Sequence, residues 1–342
     1  MKGSVCAVVV TYNRKEMLKD CVESLMAQSV ALEGILAVDN ASSDGTPSLL
    51  MEMGLLKKLP PQDQEYEETA ILARGNAFIS FHYLRLPHNT GGAGGFYQGM
   101  KRAYELGYEW IWIMDDDVVV DRRALEKLKK SIKDKPLILA SRVVSDNQNL
   151  NPVHRGHFDR RNFFPGLQKP LPSDFKGYID FSSFVGLMVN RKVIEKIGYP
   201  NPDFFIYNDD VEYSLRISEI GKILLVPDSL IVDRNAKRKE NFQEKGLLLW
   251  KVKRVPLSNY WRTYYSLRNS IYIGKKYSRG KLLFYIRFMW HLIKSIRSLV
   301  LILILDDHKK DRLKLRFLPY LHGLKGKLGR RVIYKDGKLL WL

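Results

Sequence analysis

The sequence predicts an α/β fold in which a mainly parallel sheet carries helices on both faces. Apolar, strand-like runs alternate with amphipathic helical stretches over the first 143 residues, and clusters of polar residues follow the strands. Alternation of this kind requires crossover connections between parallel strands. Because open sheets of this type bind ligands beyond the carboxyl ends of their strands, we expect the polar clusters to meet along one edge.

Short β-branched runs and helical periodicity define the elements in order. The predicted strands are Ser4–Val10, Gly34–Val38, Phe78–Leu86, Trp110–Met114 and Ile223–Val226. The predicted helices are Lys15–Gln28, Gly95–Leu106, a helix near Arg191–Ile197, and Asn208–Ile220. The charged stretch near residues 56–68 is interpreted as an insertion, and the unpatterned residues 144–183 are interpreted as a long loop that crosses the site.

Charge divides the chain into two parts. Residues 1–233 carry 28 Lys and Arg against 31 Asp and Glu, a net charge of −3, whereas residues 234–342 carry 28 against 6, a net charge of +22. We therefore predict an α/β domain over residues 1–234 and a basic, mostly helical region over residues 235–342. The basic excess favours an anionic partner, either nucleic acid or phospholipid. Two cysteines, Cys6 and Cys21, cannot staple a chain of this length, which favours a reducing cytoplasmic setting.

Three adjacent carboxylates, Asp115–Asp117, follow the predicted strand Trp110–Met114. Adjacent acids repel one another unless a cation or a set of hydrogen-bond donors compensates their charge. A divalent metal such as Mg²⁺ or Mn²⁺ is commonly held by one or two carboxylates and completed by substrate phosphates. The alternative is a solvated acidic turn.

The loop Asn89–Gly95 contains four glycines between a predicted strand and a predicted helix. Glycines let the backbone approach a ligand closely, and a helix start can face an anion. The spacing matches neither the P-loop nor the dinucleotide-binding fingerprint. By itself the loop is equally compatible with a binding site and a tight structural turn.

Two further acidic positions carry open alternatives. Asp209 and Asp210 begin the predicted helix Asn208–Ile220, where the helix dipole alone can account for acidic residues. Asp233 follows a strand-like run and is either a metal ligand or a turn residue. His154 and His157 show no metal-binding spacing and are interpreted as ordinary polar residues.

Taken together, five motifs in order resemble the family 2 inverting glycosyltransferases, in particular the branch of bacterial rhamnosyltransferases and galactofuranosyltransferases. The matching segments are Val8–Arg14, Val38–Thr46, Asn89–Phe96, Met114–Asp117 and Asn208–Arg216, with a weaker echo at Tyr264–Asn269. The resemblance covers roughly residues 4–234. It implies the nucleotide-sugar-binding fold called GT-A.

The resemblance also implies residue roles. The implied donor-binding residues are Thr11, Tyr12, Asn13, Asp39, Asn89, Gly91, Gly92, Asp115 and Asp116. Asp115 and Asp117 are implied to hold a Mg²⁺ or Mn²⁺ ion with the diphosphate, and Asp210 matches the general base, with Asp209 and Glu212 as secondary candidates. Many relatives place a metal-binding histidine after the base helix, whereas this sequence offers Asp233 there.

The segment Leu282–Val300 is strongly apolar but contains Arg287, His291, Lys294 and Arg297. The uninterrupted apolar run Leu299–Leu305 is far shorter than the ~20 residues that span a bilayer, so we expect the segment to lie in the lipid interface. We assign the lipid-facing surface to residues including Phe288, Leu292 and Ile296. Packing against the catalytic domain or in a dimer remains the alternative. No nucleic-acid-binding module is recognisable, which argues against that partner.

These observations predict a metal-dependent inverting glycosyltransferase that moves a sugar, with rhamnose and galactofuranose as the leading choices. The expected donor is a UDP- or dTDP-sugar, and the expected acceptor is a glycan or a lipid-linked saccharide of a cell-surface polysaccharide. We expect the protein to bind peripherally to the inner face of the cell membrane. The alternatives are a sugar nucleotidyltransferase and a non-enzymatic protein that binds membrane or nucleic acid.

Overall fold

The computed structural model describes residues 3–75, 77–132, 137–145, 151–159, 168–234, 243–247 and 250–342. The chain forms two compact units. The first comprises Met1–Phe158, Gln168–Pro202 and Asp209–Lys237. The second comprises Asp159–Leu167, Asp203–Asn208 and Arg238–Leu342, so a six-residue segment directly before Asp209 belongs with the C-terminal part of the chain.

The first unit contains thirteen strands among its described residues. They are β1 (Val5–Thr11), β2 (Gly34–Asp39), β3 (Tyr66–Arg74), β4 (Ala77–Arg85), β5 (Trp110–Asp115), β6 (Val118–Val120), β7 (Ile138–Ser145), β8 (Arg155–Phe158), β9 (Gln168–Pro170), β10 (Gly177–Ile179), β11 (Phe181–Ser182), β12 (Leu187–Asn190) and β13 (Ile223–Asp233). Its helices are α1 (Lys15–Met26), α2 (Thr46–Glu52), α3 (Gly91–Glu105), α4 (Ala124–Ser131), α5 (Arg191–Ile197) and α6 (Asp209–Ile220).

One large mixed sheet organises this unit, with strand order β10-β13-β7-β12-β5-β1-β2-β4-β3 and β6 paired to β13. The central strands β5, β1, β2 and β4 are mutually parallel, as the alternating pattern predicts. Residues of β1 and β2 are buried throughout because helices cover both faces of the sheet. The predicted α/β fold class is therefore confirmed.

Two interpretations of irregular sequence differ from the structure. The supposed insertion near residues 56–68 leads into β3, which forms an antiparallel hairpin with β4 at the sheet edge. Within residues 144–183, the segments β8, β9 and β11 build a small antiparallel sheet, and β10 joins the large one. Residues 146–150 and 160–167 of the predicted loop lie outside the described residues.

The second unit combines helices with two hairpins. Its elements are β14 (Gln243–Leu247), β15 (Trp250–Arg254), α7 (Leu257–Tyr260), α8 (Arg262–Tyr277), α9 (Lys281–Leu305), α10 (Lys309–Lys325), β16 (Val332–Lys335) and β17 (Lys338–Trp341). Tyr264, Tyr265 and Leu315 form one buried cluster, and Ile271, Phe284 and Phe288 belong to another.

Helix α9 presents two apolar faces rather than one. Phe288 is buried against Tyr320 of α10, and Leu292 packs on the same cluster, so our assignment of these two residues to a lipid-facing surface is wrong. His291 also faces this interior, with Nδ1 2.6 Å from the hydroxyl of Tyr320. By length and composition, α9 is the single candidate for a membrane-spanning helix in the described part of the chain.

The opposite face of α9 is exposed. Its apolar residues, each about half exposed or more, are Leu282, Leu283, Tyr285, Ile286, Met289, Trp290, Ile293, Ile296, Val300, Leu303 and Ile304. Lys294 and Arg297 are exposed as well, and the Lys294 ammonium lies 5.0 Å from the ring centroid of Trp290. We call this surface the outer face of α9.

Candidate active site

The carboxyl ends of the central strands bring the predicted polar clusters together. In the parallel register Thr11 pairs with Asp39, and the neighbouring Val10 pairs with Asp115. Asp39 in turn pairs with Arg85 at the end of β4. Three predicted donor-binding residues therefore occupy adjacent strand ends, as expected for an open parallel sheet.

The acidic motif is tied to the end of β1. Thr11 donates its hydroxyl hydrogen to Asp116 Oδ2 at 2.7 Å. Arg14 Nη1 lies 3.0 Å from Asp116 Oδ1 and 2.7 Å from Asp117 Oδ2, so a single guanidinium bridges two of the three acids. Asp116 and Asp117 are buried, whereas Asp115 is partly exposed.

Negative charge at this motif is under-compensated. Burial, Asp117 and Asp116 raise the pKa of Asp115 well above its ordinary value, while Arg14 lowers it. Burial likewise raises the pKa of Asp116 to about 6, against the lowering effects of Arg14 and Thr11. Because each ionised carboxylate disfavours the others, an added cation would be bound favourably here.

The donor chemistry fits a Mg²⁺ or Mn²⁺ ion held by few protein ligands. Among the described residues, no group of three His, Cys, Asp or Glu side chains forms a ready metal cage. Such ions commonly take one or two carboxylates and complete their shell with water and substrate phosphates. Asp115 and Asp117 supply oxygen ligands of the required kind at the strand end.

Both carboxylate oxygens of Asp39 accept hydrogen bonds from other residues of the protein. Its Oδ1 accepts the Ser42 amide hydrogen at 2.7 Å, and its Oδ2 accepts from the Tyr83 hydroxyl and the Arg85 guanidinium, each at 2.6 Å. The side chain has no solvent-exposed surface. In this arrangement Asp39 organises Arg85, and direct contact with a ligand would require it to exchange a partner.

The loop after β1 is exposed to solvent. Tyr12 and Asn13 are exposed, and Asn13 adopts a φ of 53°, which is uncommon for a residue other than glycine. Its side-chain oxygen accepts the Ser43 amide hydrogen at 2.7 Å, which joins this loop to the loop after β2. The two loops therefore form one continuous rim.

The glycine loop is the first turn of α3, which begins four residues earlier than the sequence predicts. Asn89 Oδ1 accepts the Gly91 amide hydrogen at 2.7 Å. A Cβ atom added to Gly95 would lie 2.4 Å from Val10 Cγ1, whereas one added to Gly92 would meet nothing within 4 Å. Gly95 thus serves helix–strand packing, and Gly92 borders open space.

Asp233 lies beside the acidic motif through backbone pairing. It pairs with Val118 in the β13–β6 ladder, and the next residue, Arg234, donates its amide hydrogen to the Asp117 carbonyl oxygen at 3.0 Å. Asp233 Oδ2 lies 3.0 Å from Asn151 Nδ2 and 3.2 Å from His154 Nε2. His154, which we interpreted as an ordinary polar residue, therefore contacts a predicted metal ligand.

The acids of α6 also have raised pKa values. Burial, followed by the neighbouring Asp210, raises the pKa of Asp209. Burial raises the pKa of Asp210 to about 6, although the Val211 amide hydrogen at 2.7 Å and the charge of Arg155 favour its ionised form. Asp209 is the weakest of the groups that act on the pKa of Asp115, after burial, Asp117, Asp116 and Arg14.

Glu212, our secondary candidate, is buried in an ion pair with Arg216 at 2.9 Å. Arg216 also donates to the carbonyl oxygens of Ile197 and Tyr199, so the pair fixes α6 against the chain that follows α5. This geometry gives Glu212 a structural task.

Sequence reasoning missed Arg155, a buried cation whose charge favours the ionised form of Asp210. The Arg155 side chain donates to the carbonyl oxygens of Ser141, His154 and Val185 at 2.6–2.8 Å. Burial lowers the pKa of Arg155, and Asp210 opposes that effect. Arg14 was missed too, although its position in the Val8–Arg14 motif was a usable signal. Arg155 stands in an unpatterned stretch and gave none.

Two curated relatives are similar to this chain in sequence. The chain is 30% identical over 228 residues to the galactofuranosyltransferase GlfT1 of Mycolicibacterium smegmatis; this covers 64% of the chain and 66% of the relative, just under two thirds of its length. It is 24% identical over 261 residues to the dTDP-rhamnosyl transferase RfbF of Shigella flexneri, covering 72% of the chain and 80% of that relative.

Solved structures share the fold. Residues 1–349 of S. aureus TarS in complex with UDP-GlcNAc match with a TM-score of 0.52 at 12% identity, covering 99% of this chain and 96% of that one. The mannosyltransferase PcManGT from Pyrobaculum calidifontis, in complex with GDP-Man and Mn²⁺, matches with a TM-score of 0.52 at 15% identity, covering 94% and 87%.

A match to a family model identifies the family. Residues 6–58 and 63–198 match the family described as Glycosyl transferase family 2, which spans more than half of the chain and includes β1, β2, the glycine loop and the acidic motif. The resemblance inferred from five motifs is confirmed, and the chain belongs to glycosyltransferase family 2.

Proposed function

We propose that this glycosyltransferase is metal-dependent and inverting, and that it transfers galactofuranose or rhamnose from a UDP- or dTDP-sugar to a glycan or lipid-linked acceptor of a cell-surface polysaccharide. The observation that carries the proposal is the parallel register of β2, β1 and β5, which brings Asp39, Thr11 and the acidic motif that begins at Asp115 to one edge of the sheet. The names of the relatives, a galactofuranosyltransferase and a dTDP-rhamnosyl transferase, support the choice of sugars.

Each group has a chemical task in this proposal. Asp210 accepts the proton of the acceptor hydroxyl as that oxygen attacks the sugar, since a hydroxyl group is a poor nucleophile at neutral pH. Asp115 and Asp117 would hold a divalent cation, which when bound neutralises charge on the leaving diphosphate. Arg14 adds a fixed positive charge beside Asp116 and Asp117. Asp233 is proposed as a further oxygen ligand.

A donor screen tests this function. The purified protein is incubated with UDP-galactofuranose or dTDP-rhamnose, with Mg²⁺, Mn²⁺ or EDTA, and release of UDP or dTDP is measured. We expect release that requires the cation, and loss of release in Asp117→Ala but not in Asp63→Ala, which alters an exposed acid in the same unit. Release at the same rate in EDTA would contradict metal dependence.

The alternative functions give different products. A sugar nucleotidyltransferase would consume a nucleoside triphosphate and release pyrophosphate, whereas a transferase releases a nucleoside diphosphate. A non-enzymatic binding protein would release neither from any donor in the screen. Product analysis of the same reactions therefore separates the three possibilities.

We also propose that the protein binds peripherally to the anionic inner face of the cell membrane through the outer face of α9. Apolar side chains with Lys294 and Arg297 among them are typical of a helix lying in the lipid interface. Residues 234–342 carry a net charge of +22, which is complementary to anionic phospholipid. A lipid-linked acceptor would be presented at that surface.

Vesicle flotation tests this location. The full chain should float with phosphatidylglycerol vesicles at 0.15 M salt and be released only in part at 1 M salt, where the Debye length falls from about 8 to 3 Å. Replacing Ile286, Ile293 and Ile296 with serine should make that release complete, whereas Ile71→Ser, at the exposed edge of the first unit, should not.

Three outcomes would contradict peripheral binding by this face. Retention of the wild-type protein in washed vesicles at both 1 M salt and high pH would indicate that α9 crosses the bilayer. Failure to float with any vesicle would contradict lipid binding. A dimer in solution that the three serine substitutions dissociate would make the outer face of α9 a contact between two copies.

A further inference from the structure

The six residues before the proposed base helix have an unusual backbone. Among the described residues outside glycine, eight have positive φ, and three of them lie in Asp203–Asn208: Phe205, Tyr207 and Asn208, at 64–65°. We call Asp203–Asn208 the lead-in segment, because Asn208 is followed by Asp209, the first residue of α6. A run of such conformations persists only where the surrounding structure determines it.

Asn269 of α8 determines much of this backbone. Its Nδ2 lies 3.1 Å from the Phe204 carbonyl oxygen, 3.0 Å from that of Ile206 and 2.8 Å from that of Tyr207. An amide nitrogen carries two hydrogens, so three carbonyl groups share them. The Asn269 side chain thus holds three carbonyl groups of an irregular segment close together.

Arg268, the residue before it, holds the start of the lead-in segment. Its Nη2 lies 3.2 Å and 3.0 Å from the carbonyl oxygens of Asp203 and Phe204, and its Nη1 lies 2.6 Å from that of Gly329. Its Nε donates to Asn269 Oδ1 at 2.8 Å, which orients the asparagine amide so that Nδ2 faces the segment. The two side chains therefore act as one unit.

The Arg268 side chain is wholly buried, and its guanidinium carbon lies 4.8 Å from the ring centroid of Tyr265. Burying a cation is costly unless hydrogen bonds compensate it, and the bonded partners given above are carbonyl and amide oxygens rather than carboxylates. An arginine used in this way stabilises a particular backbone path. Leucine or methionine would fill the same volume at lower cost if packing alone were required.

Two more contacts close the arrangement. The Phe205 ring packs on Tyr265 with centroids 5.0 Å apart, and Asn208 Nδ2 donates to the Ser266 carbonyl oxygen at 3.2 Å and to Ser270 Oγ at 3.0 Å. The segment Tyr264–Asn269 is therefore the part of α8 that contacts the lead-in segment. It is also the weaker sequence motif, which the structure of the first unit does not explain.

We propose that Arg268 and Asn269 are positioning residues of the transfer reaction, which fix the backbone leading into α6 and so the direction of the Asp210 carboxylate. This inference rests on the proposed role of Asp210 as the base. A base must come within about 2.6–3.2 Å of the hydroxyl oxygen whose proton it takes. A displacement of about 1 Å, even by a change far from the chemistry, can lower turnover about 100-fold.

The test combines hydrogen exchange with kinetics on the full chain. In Asn269→Ala we expect amide exchange over residues 205–211 to accelerate at least about tenfold while amides of β1 and β5 remain protected. We expect kcat to fall about 10- to 100-fold with the donor KM within about twofold of wild type. Arg268→Lys, which keeps a charged donor, should lose less turnover than Arg268→Met.

Controls come from the same unit. Asn259→Ala removes an asparagine side chain in α7, and Arg262→Lys alters an exposed arginine at the start of α8. Neither should change exchange over residues 205–211 or turnover. A rise in exchange throughout the chain in Asn269→Ala, with turnover lost equally in Asn269→Ala and the two control variants, would show a merely structural role and overturn the proposal.

Failure of this inference is distinguishable from failure of the proposed function. If no donor supports turnover by the wild-type protein, the proposed function fails, and the exchange experiment still decides whether Arg268 and Asn269 hold the lead-in segment. If the wild-type protein turns over and Asn269→Ala matches it in both kcat and exchange, the positioning role is overturned. In either case wild-type exchange provides the reference.

Discussion

In the first unit, carboxylates with raised pKa values lie at the carboxyl end of β5 and at the start of α6. In the second unit, buried charged side chains form ion pairs with one another. Asp306 is fully buried between Arg254, which donates Nε to its Oδ1 at 2.9 Å, and Arg312. Arg312 also bonds Asp307 and the Val255 carbonyl oxygen. Compensated charge in the second unit serves architecture, whereas raised carboxylate pKa values such as those of Asp115 and Asp210 are typical of functional sites.

The largest expected effect breaks the cation site. Asp117→Ala should abolish cation-dependent donor binding, because it removes one carboxylate from a site that has few protein ligands. Asp115→Ala should be nearly as damaging. Calorimetric titration of UDP with and without Mn²⁺ measures the effect, and unchanged metal-independent affinity in Asp117→Ala would remove that residue from the site.

The next effect concerns catalysis rather than binding. Asp210→Asn should lower kcat by about 10²–10⁴-fold while donor affinity is retained, because asparagine is nearly isosteric but cannot accept the proton. Burial raises the pKa of Asp210 to about 6, so wild-type kcat should increase with pH through that value as the carboxylate ionises. Normal turnover in Asp210→Asn with loss in Asp209→Asn would move the base by one residue.

A stability measurement sharpens the comparison of the two units. Asp306→Asn should lower the free energy of unfolding by about 3–5 kcal/mol, because it removes the counterion of the largely buried Arg254 and one of the two carboxylates beside Arg312. Asp336→Asn, at an exposed turn of the same unit, is the control and should have little effect. Urea unfolding followed by circular dichroism gives these values, and equal stability of the two variants would contradict the architectural role.

An aspartate-to-asparagine substitution in the first unit, at Asp209, should increase stability rather than decrease it. The pKa of Asp209 is raised in the folded protein, so the native state binds more protons than the unfolded state at pH values above about 4. The free energy of unfolding therefore decreases as pH rises from about 4 through the raised pKa of Asp209. Asp209→Asn removes the group and should raise the melting temperature at pH 7–8, with a gain that disappears near pH 4.

The strand ends of the site were predictable because their signals are local. Apolar runs ending in Thr11, Asp39 and Asp115 give both the strands and the polar edge, and parallel pairing aligns them without further information. The edge strand β3 alternates partly buried and exposed residues along Tyr66–Arg74, but its sequence does not alternate apolar with polar residues, and its acidic residues favoured a different interpretation.

Contacts between distant parts of the chain were not predictable. His154 and Asp233 are 79 positions apart, and Arg14 and Asp117 are 103 apart, so no periodicity relates them. Helix α9 has apolar residues around most of its circumference, and only the packing of Phe284 and Phe288 on α8 and α10 distinguishes its inner face from its outer one. Tertiary context decides such cases.

The smallest expected effects extend the comparison to glycines. In the second unit Gly323 is architectural, since an added Cβ would lie 2.7 Å from the backbone oxygen of Arg268. In the first unit, one loop holds both kinds of glycine. Gly95→Ala forces its Cβ against Val10 and should lower the free energy of unfolding by about 1–3 kcal/mol, as overpacking does.

Gly92→Ala should instead leave stability unchanged or raise it by up to about 1 kcal/mol, because alanine favours a helix and the new methyl group meets no neighbour. If Gly92 borders the donor, the methyl group should raise the donor KM while kcat changes little, since it obstructs binding and leaves Asp210 in place. Gly95→Ala, assayed where it remains folded, should show the reverse: lower stability with a donor KM close to wild type. An unchanged KM in Gly92→Ala would assign the whole loop to helix packing, and this part of the first unit would then resemble the second.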